Sequence, residues 1–491
     1  MENNMKDKNT PKIPSPLLSF VPVMVLVGLL ACTIRIFGGD TLDGASQIVL
    51  LTSAAVCCLI AICRCGIRWK TIETAIVSNI SGVSPALLIL LLIGALSGSW
   101  MVSGVIPTLV YYGIKIIHPD FFLVTTCIIC ALVSVMTGSS WTTIATVGIA
   151  LFGIGRVQGF HEGWIAGAII SGAYFGDKVS PLSDTTVLAS SVTGTPLFQH
   201  IRYMMITTVP SMAVTLAIFL IAGFSRETSP SLEIGAFMDA LSGAYHISLW
   251  LLTVPLVMVV LIVRKISPVI TLFLSAMAAG FAALVFQPEL LHRISGLDVH
   301  SVSSLFKGLI MTFYDNTQIE TGNATLNELA ETHGMSGMLN TVWLIICAMC
   351  FGGSMTASGM LAGITSIFLR FMKRTAGTVS ATVASGIFLN ICTADQYLSI
   401  LLTGDMFKNV YKQKGCESRL LSRTIEDGVT VTSPLIPWNT CGMTQATVLG
   451  VSTFTYLPYC FFNLISPLMS IIVAATGYKI KKVMTERCII D

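Results

Sequence analysis

Long uncharged runs dominate the chain and set its predicted elements. Leu17–Ile34, Gly44–Cys63, Tyr203–Ser225, Ala240–Val263 and Ile266–Pro288 carry no Asp, Glu, Lys or Arg. Each is long enough for one bilayer crossing, which takes about 20 residues. Four longer runs, Thr74–Ile114, Phe121–Gly155, Thr332–Leu369 and Gly428–Tyr478, contain no Asp, Glu, Lys or Arg. Each has room for a span plus a broken or returning piece, which predicts roughly 10–13 membrane segments in all. The stretch Gln287–Thr332 carries Glu289, Asp298, Asp315, Glu320, Glu328 and Glu331 against Arg293 and Lys307. It reads as a loop between two halves, with some helix in it.

Composition agrees with this pattern. Of 491 residues, 54% are hydrophobic and 11% charged, against about 25% charged in soluble domains. Mean hydropathy is +0.80. A soluble enzyme, a secreted disulfide scaffold, a coiled coil and a disordered chain are therefore disfavoured. The net charge of +3 leaves no footprint for nucleic acid. The partner implied is the lipid bilayer. Seven His are scattered without metal-ligand spacing, and 14 Cys behave as small apolar residues.

Basic residues orient the spans. Lys6, Lys8 and Lys12 precede the first run, which reads as a retained helix rather than a signal peptide. The next loop holds Asp40 and Asp43, and the one after it Arg64, Arg68 and Lys70. The positive-inside rule then places the amino terminus in the cytoplasm. Lys479, Lys481, Lys482 and Arg487 place the carboxyl terminus there too. Arg370, Lys373 and Arg374 form one basic cluster, and Lys408, Lys412, Lys414, Arg419 and Arg423 another. The apolar Thr375–Phe407 between them is too short for two full helices and a turn, so it predicts a re-entrant hairpin. Non-helical backbone at membrane depth is tolerated only where protein buries it or it lines a cavity.

Three blocks recur in the same order at an offset of about 255 residues, as in transporters built from paired halves. Gly98–Gly104 resembles Gly353–Gly359. Thr137–Gly148 resembles Thr393–Gly404. Ser180-Pro-Leu-Ser-Asp-Thr185 resembles Ser433-Pro-Leu-Ile-Pro-Trp-Asn-Thr440. A competing register, offset by about 214, aligns Gly138 with Gly352 and Ser171 with Ser385. The first carries the Ser-Pro-Leu match and is preferred. Pro181, Pro434 and Pro437, with Gly138, Gly148 and Gly404, interrupt these segments and free backbone groups for an ion. The chain divides into a tail 1–16, amino-terminal spans 17–73, a first repeat 74–225, linking spans and loop 226–332, a second repeat 333–478 and a tail 479–491. The fold class is an all-α polytopic membrane protein with inverted repeats, broken helices and re-entrant hairpins.

Carboxylates at membrane depth cost about 2.5–3.5 kcal/mol each on insertion scales and mark function by default. Asp184, in the third block, and Asp395, in the hairpin, have no adjacent base. They are the principal candidates for an ion site, with Asp184 aligned to Asn439. A pseudo-two-fold arrangement brings both to a pocket with Asn439 and the hydroxyls of Ser139, Ser140, Thr142, Ser183, Thr185 and Thr440. Hard oxygen ligands suit a hard cation such as sodium. Two close carboxylates resist ionising together, so one can exchange a proton. Asp177 is followed by Lys178, which fits an interfacial ion pair as well as a site. Asp405 follows Gly404 near Lys408 and fits a hairpin-end cap better; both stay as accessory candidates. Glu426 and Asp427 adjoin Arg419 and Arg423 and read as a surface pair.

The stretch Ser171-Gly-Ala-Tyr-Phe-Gly-Asp-Lys-Val-Ser-Pro-Leu-Ser-Asp-Thr-Thr186 resembles the signature of the NhaC-type sodium/proton antiporter family. Thr137–Thr143, Thr393-Ala-Asp-Gln-Tyr397 and Thr432–Thr440 resemble other segments of that family, and the likeness runs from about Pro85 to Tyr478. One departure is Ala394, where relatives often have Gly. The resemblance implies the ion-transporter superfamily fold, paired re-entrant hairpins and elevator-type alternating access in the bacterial inner membrane. It also implies sodium and proton as transported ions, a role in pH homeostasis, and no cofactor. Related members exchange malate, lactate or other organic anions, so a coupled organic-anion antiporter stays open, although no Arg falls within the blocks. A homodimer is compatible with this reading. An intramembrane enzyme is disfavoured: Leu402 occupies the first position of the Gly-x-Gly-Asp that Gly404-Asp405 would need, and neither His-Glu-x-x-His nor Gly-x-Ser-x-Gly occurs.

Overall fold

The structure is a computed structural model that describes residues 14–37, 44–225, 231–369 and 374–480. Half of the charges that set the predicted orientation, namely Lys6, Lys8, Lys12, Asp40, Asp43, Arg370, Lys373, Lys481, Lys482 and Arg487, lie outside the described residues. So does most of each predicted tail.

The protein is helical; among the described residues the one β pairing is an isolated bridge between Thr317 and Thr332. The amino-terminal spans are α1 (Pro16–Phe37), α2 (Ala45–Cys65) and α3 (Trp69–Val102). Next come α4 (Val105–Ile116), α5 (Phe122–Thr137), α6 (Ser140–Thr143), α7 (Ile149–Val157), α8 (Glu162–Val179), α9 (Asp184–Thr193) and α10 (Leu197–Phe224). A π-helical turn, Ile144–Gly148, joins α6 to α7. The linking part holds α11 (Ser231–Ala244), α12 (Thr253–Val263), α13 (Pro268–Phe286), α14 (Pro288–Ser295), α15 (Val302–Tyr314) and α16 (Ala324–Ala330). The carboxyl-terminal part holds α17 (Leu339–Ala357), α18 (Met360–Leu369), α19 (Thr375–Thr393), α20 (Gln396–Gln413) and α21 (Ser418–Ile425). It ends with α22 (Thr440–Leu449), α23 (Thr453–Tyr456) and α24 (Phe461–Thr476).

Among the described residues, 9 helices are long and apolar enough to cross a membrane, or 11 spans if each of two bent pairs counts as one. The predicted span Ala240–Val263 is one of those pairs, bent by 87°. Polar groups hold the bend. The His246 N–H donates to Gln287 Oε1 at 3.2 Å, and Gln287 Nε2 donates back to the His246 carbonyl at 3.1 Å. The predicted hairpin is two helices joined at Ala394-Asp395. Its second arm, α20, runs past Phe407 through the basic cluster to Gln413, and its first, α19, is with 19 residues already long and apolar enough to cross a membrane, so the stretch holds two full helices where the pattern predicts a shorter hairpin.

α3 joins two apolar cores. Its 34 residues span about 51 Å at 1.5 Å per residue. Val83 and Leu90 pack with residues of α1, α2, α17 and α18. Ile93, Leu96 and Trp100 pack with α4, α5, α8 and α13. α5 and α8 make the most extensive helix pair in the protein. Two glycines let them approach: a Cβ at Gly172 would lie 2.1 Å from the Cys127 carbonyl oxygen, and one at Gly176 would lie 2.3 Å from that of Ala131. Close backbone approach through small residues is the usual device for packing helices in lipid. Gly172→Leu should force the pair apart at a cost of about 3 kcal/mol. The check is the melting temperature and monodispersity of the detergent-solubilised variant, both of which should fall.

Candidate functional site

Four helix breaks surround one cavity of about 460 Å³. Each break leaves backbone amides and carbonyls without intrahelical partners, and short polar side chains satisfy them.

At the first break, α5 ends in Gly138, with φ 68° and ψ 22°. Ser139 follows in extended conformation, and its Oγ accepts from the Thr142 N–H at 3.2 Å. Thr137 Oγ1 accepts from the Ser139 N–H at 3.2 Å, and the Thr143 hydroxyl donates to the Ser139 carbonyl at 3.0 Å. The second break repeats this geometry. α19 ends in Ala394, with φ 56° and ψ 15°. Asp395 caps α20, its Oδ1 accepting from the Leu398 N–H at 2.8 Å. Thr393 Oγ1 accepts from the Asp395 N–H at 3.3 Å, and the Ser399 hydroxyl donates to the Asp395 carbonyl at 2.7 Å.

The third and fourth breaks also correspond. Ser183 caps α9, and Asn439 caps α22 through Oδ1 and the Cys441 N–H at 3.1 Å. Both helices are 10 residues long and end in a left-handed glycine, Gly194 or Gly450. By cap position Ser183 stands as Asn439 does, and Asp184 as Thr440 does, one residue from the alignment of Asp184 with Asn439.

The breaks are stitched in pairs. Ser140 donates to Asp177 Oδ2 at 2.7 Å, and Ser180 to the Val135 carbonyl at 2.8 Å, joining the first to the third. The Thr440 N–H donates to the Ala394 carbonyl at 2.8 Å, and its hydroxyl to Asp395 Oδ2 at 3.3 Å, joining the second to the fourth. Within this second pair, the Cys441 thiol also donates to Gln396 Oε1 at 2.6 Å.

The cavity is lined by Ser139, Ser140, Thr142, Asp177, Ser183, Asp184, Thr185, Asp395 and Thr440, all candidates from the sequence. Asp177 and Asp395 are buried, and Asp184 is exposed. Two candidates stand elsewhere. Asn439 is fully buried and holds the fourth break together, also donating to the Asn390 carbonyl at 3.2 Å. Asp405 is exposed in the middle of α20, neither a cap nor a cavity residue. Gly404 likewise interrupts nothing; it packs within α20 against Val192. Sequence reading passed over Gln396 and Tyr397, although both lie in the second block, and Lys265 at the turn between α12 and α13, which also lines the cavity.

The expected surface pair is buried. Glu426 and Asp427 start a second π-helical turn, Glu426–Thr430, and are fully inaccessible, as are Arg423 and Lys178. Lys178 turns away from Asp177 and pairs with Asp427. These partners lie 249 positions apart, and no local signal links them.

A smaller cavity of about 280 Å³ lies at the other end of α22. Thr440 lines the first cavity, and Leu449 and Gly450 line this one. Arg156 bridges Glu162, at 3.3 Å, and Glu328 there.

The profile of the Na+/H+ antiporter family matches residues 172–478. The chain belongs to the Na+/H+ antiporter family. It is 34% identical over 465 residues to the Na(+)/H(+) antiporter NhaC of Bacillus subtilis (strain 168), covering 94% of this chain and 98% of that protein. It is 36% identical to NhaC of Alkalihalophilus pseudofirmus, covering 85% and 87%. It is also 35% identical to the Malate-2H(+)/Na(+)-lactate antiporter of Bacillus subtilis, covering 89% and 90%.

In this member of the antiporter family, Ala394 holds a conformation that suits glycine. Ala394→Gly should therefore leave the second break intact. Ala394→Val should destabilise the break, because a β-branched side chain is a genuine outlier at positive φ, with the difference visible as a lower melting temperature for the valine variant alone.

Proposed function

We propose that this protein exchanges sodium for protons across the bacterial inner membrane, with both termini in the cytoplasm. Sodium and protons compete for the carboxylates of the larger cavity, and the carrier crosses either sodium-loaded or protonated. The observation that carries this reading is the convergence of Asp177, Asp184 and Asp395 on one cavity formed by helix breaks. Carboxylate, hydroxyl and carbonyl oxygens are the donors a hard cation takes. Asp395 and Asp184 are the principal ligands, with Ser139, Ser140, Thr142, Ser183, Thr185 and Thr440 around them and Asn439 fixing the wall. The matching dihedrals and hydrogen bonds of the paired breaks support two copies of one transport repeat, 74–225 and 333–478, working around a shared site.

A second reading keeps the same site and adds an organic anion. Lys265 on the cavity wall favours it, as do the amino-terminal ends of α9, α20 and α22, which carry partial positive charge.

Everted vesicles with a pH-sensitive dye test both. Sodium should dequench the dye with the wild-type protein. Asp395→Asn and Asp184→Asn should abolish the response while keeping membrane insertion, since Asn at 395 still caps α20. Absence of a wild-type response to sodium, together with uptake of labelled malate or lactate, would replace the first reading with the second.

A further inference from the structure

Polar burial continues behind Asp177. Lys178, Arg423, Glu426 and Asp427 are all fully inaccessible, yet they differ in how they are satisfied. Asp427 Oδ1 accepts from Lys178, and from the hydroxyls of Thr207 and Ser466 at 3.1 Å each. Glu426 has neither oxygen hydrogen-bonded. The Thr430 hydroxyl, one turn on, faces it outside hydrogen-bonding geometry.

The charges that act most strongly on Glu426 are the Lys178 ammonium and the carboxylates of Asp177 and Asp427. Arg423, three residues before it, pairs with Asp427 Oδ2 at 3.8 Å and lies over the Tyr203 ring of α10 at 5.0 Å. The remaining titratable groups around it are engaged elsewhere. His200 of α10 bonds Ser422 at 2.8 Å, and Tyr411 of α20 bonds Thr382 at 3.1 Å. α9 opens with Asp184 at the cavity, α19 adds Cys392, and α24 adds none.

A buried carboxylate without hydrogen bonds is held as the neutral acid unless a cation compensates it. Two buried cations, Lys178 and Arg423, both paired with Asp427, stand against three buried carboxylates, Asp177, Asp427 and Glu426. Hydroxyls serve Asp177 and Asp427, so Glu426, with neither oxygen bonded, is the one left neutral. Asp177 repels a second negative charge. We propose that Glu426 is a second proton-binding site, separate from the cavity carboxylates, which releases its proton when sodium neutralises the cavity beside Asp177. The proposal rests on the cavity being the sodium site. Sodium removes the repulsion from Asp177, Lys178 stabilises the carboxylate that forms, and the proton leaves for water. This second proton is then coupled to sodium through charge, in addition to the competition at the cavity carboxylates.

The test is sodium binding to the purified full-length protein, by calorimetry in two buffers of different ionisation enthalpy, which counts protons released per sodium. Glu426→Gln fixes the neutral form and should bind sodium while releasing one proton fewer than wild type. Glu426→Asp should restore that proton. In the wild type, the sodium-minus-potassium infrared difference spectrum should show loss of a protonated-carboxyl band that is missing from Glu426→Gln. An unchanged proton count in Glu426→Gln, or no such band in the wild type, would overturn the proposal. Failure of the wild type to bind sodium at all would instead overturn the cavity reading.

Discussion

A helix that stops inside a membrane must find partners for the amides and carbonyls it exposes, and hydrocarbon offers none. That demand shapes this protein at four places. Thr137, Ser139, Ser183, Thr393, Asp395 and Asn439 stand at the breaks because each supplies an oxygen to the backbone there. Of these, Thr137, Ser139, Ser183 and Asp395 also line the cavity, and Asn439 adjoins Thr440, which does. Capping and cavity lining thus draw on one set of side chains. At Asp395 the two roles divide between the oxygens: Oδ1 holds the helix, and Oδ2 meets Thr440 at the cavity wall.

Behind this polar shell the charges are paired across long sequence distances. Lys178 of α8 meets Asp427 of the π turn after α21, and Thr207 and Ser466 complete its surroundings. Breaking such a pair by removing one partner leaves a buried charge uncompensated, typically at about 3–5 kcal/mol. The pair locks the third break to the carboxyl-terminal segments. Asp177, the residue before Lys178 in α8, faces the cavity instead and accepts from Ser140.

Local pattern made much of this visible. Uncharged runs located the spans, and Gly, Pro, Ser and Thr punctuation located all four breaks. The ion-site candidates at those breaks face one cavity because the signal for a break and the signal for a ligand coincide in the same short motif. Where geometry depends on partners far along the chain, the pattern was silent. Glu426 and Asp427 follow a basic stretch and look solvated, because nothing near them names Lys178. Asp405 looks like a cap because Gly404 precedes it, yet that glycine serves the packing of Val192 against α20. The bend at His246 depends on Gln287, 41 positions away.

The six residues of α22 between the two cavities, 441–446, have an electrical meaning. Water in both cavities, entering from opposite sides, would bring bulk potential to each end of this short stretch. The membrane voltage would then fall across about 10 Å rather than across the full bilayer core of about 30 Å. Each 100 mV is worth about 2.3 kcal/mol per elementary charge moved through the whole drop. A displacement of a third of the membrane's thickness would therefore collect nearly all of that work. So thin a partition would let a small movement of a charged site answer to the full membrane potential.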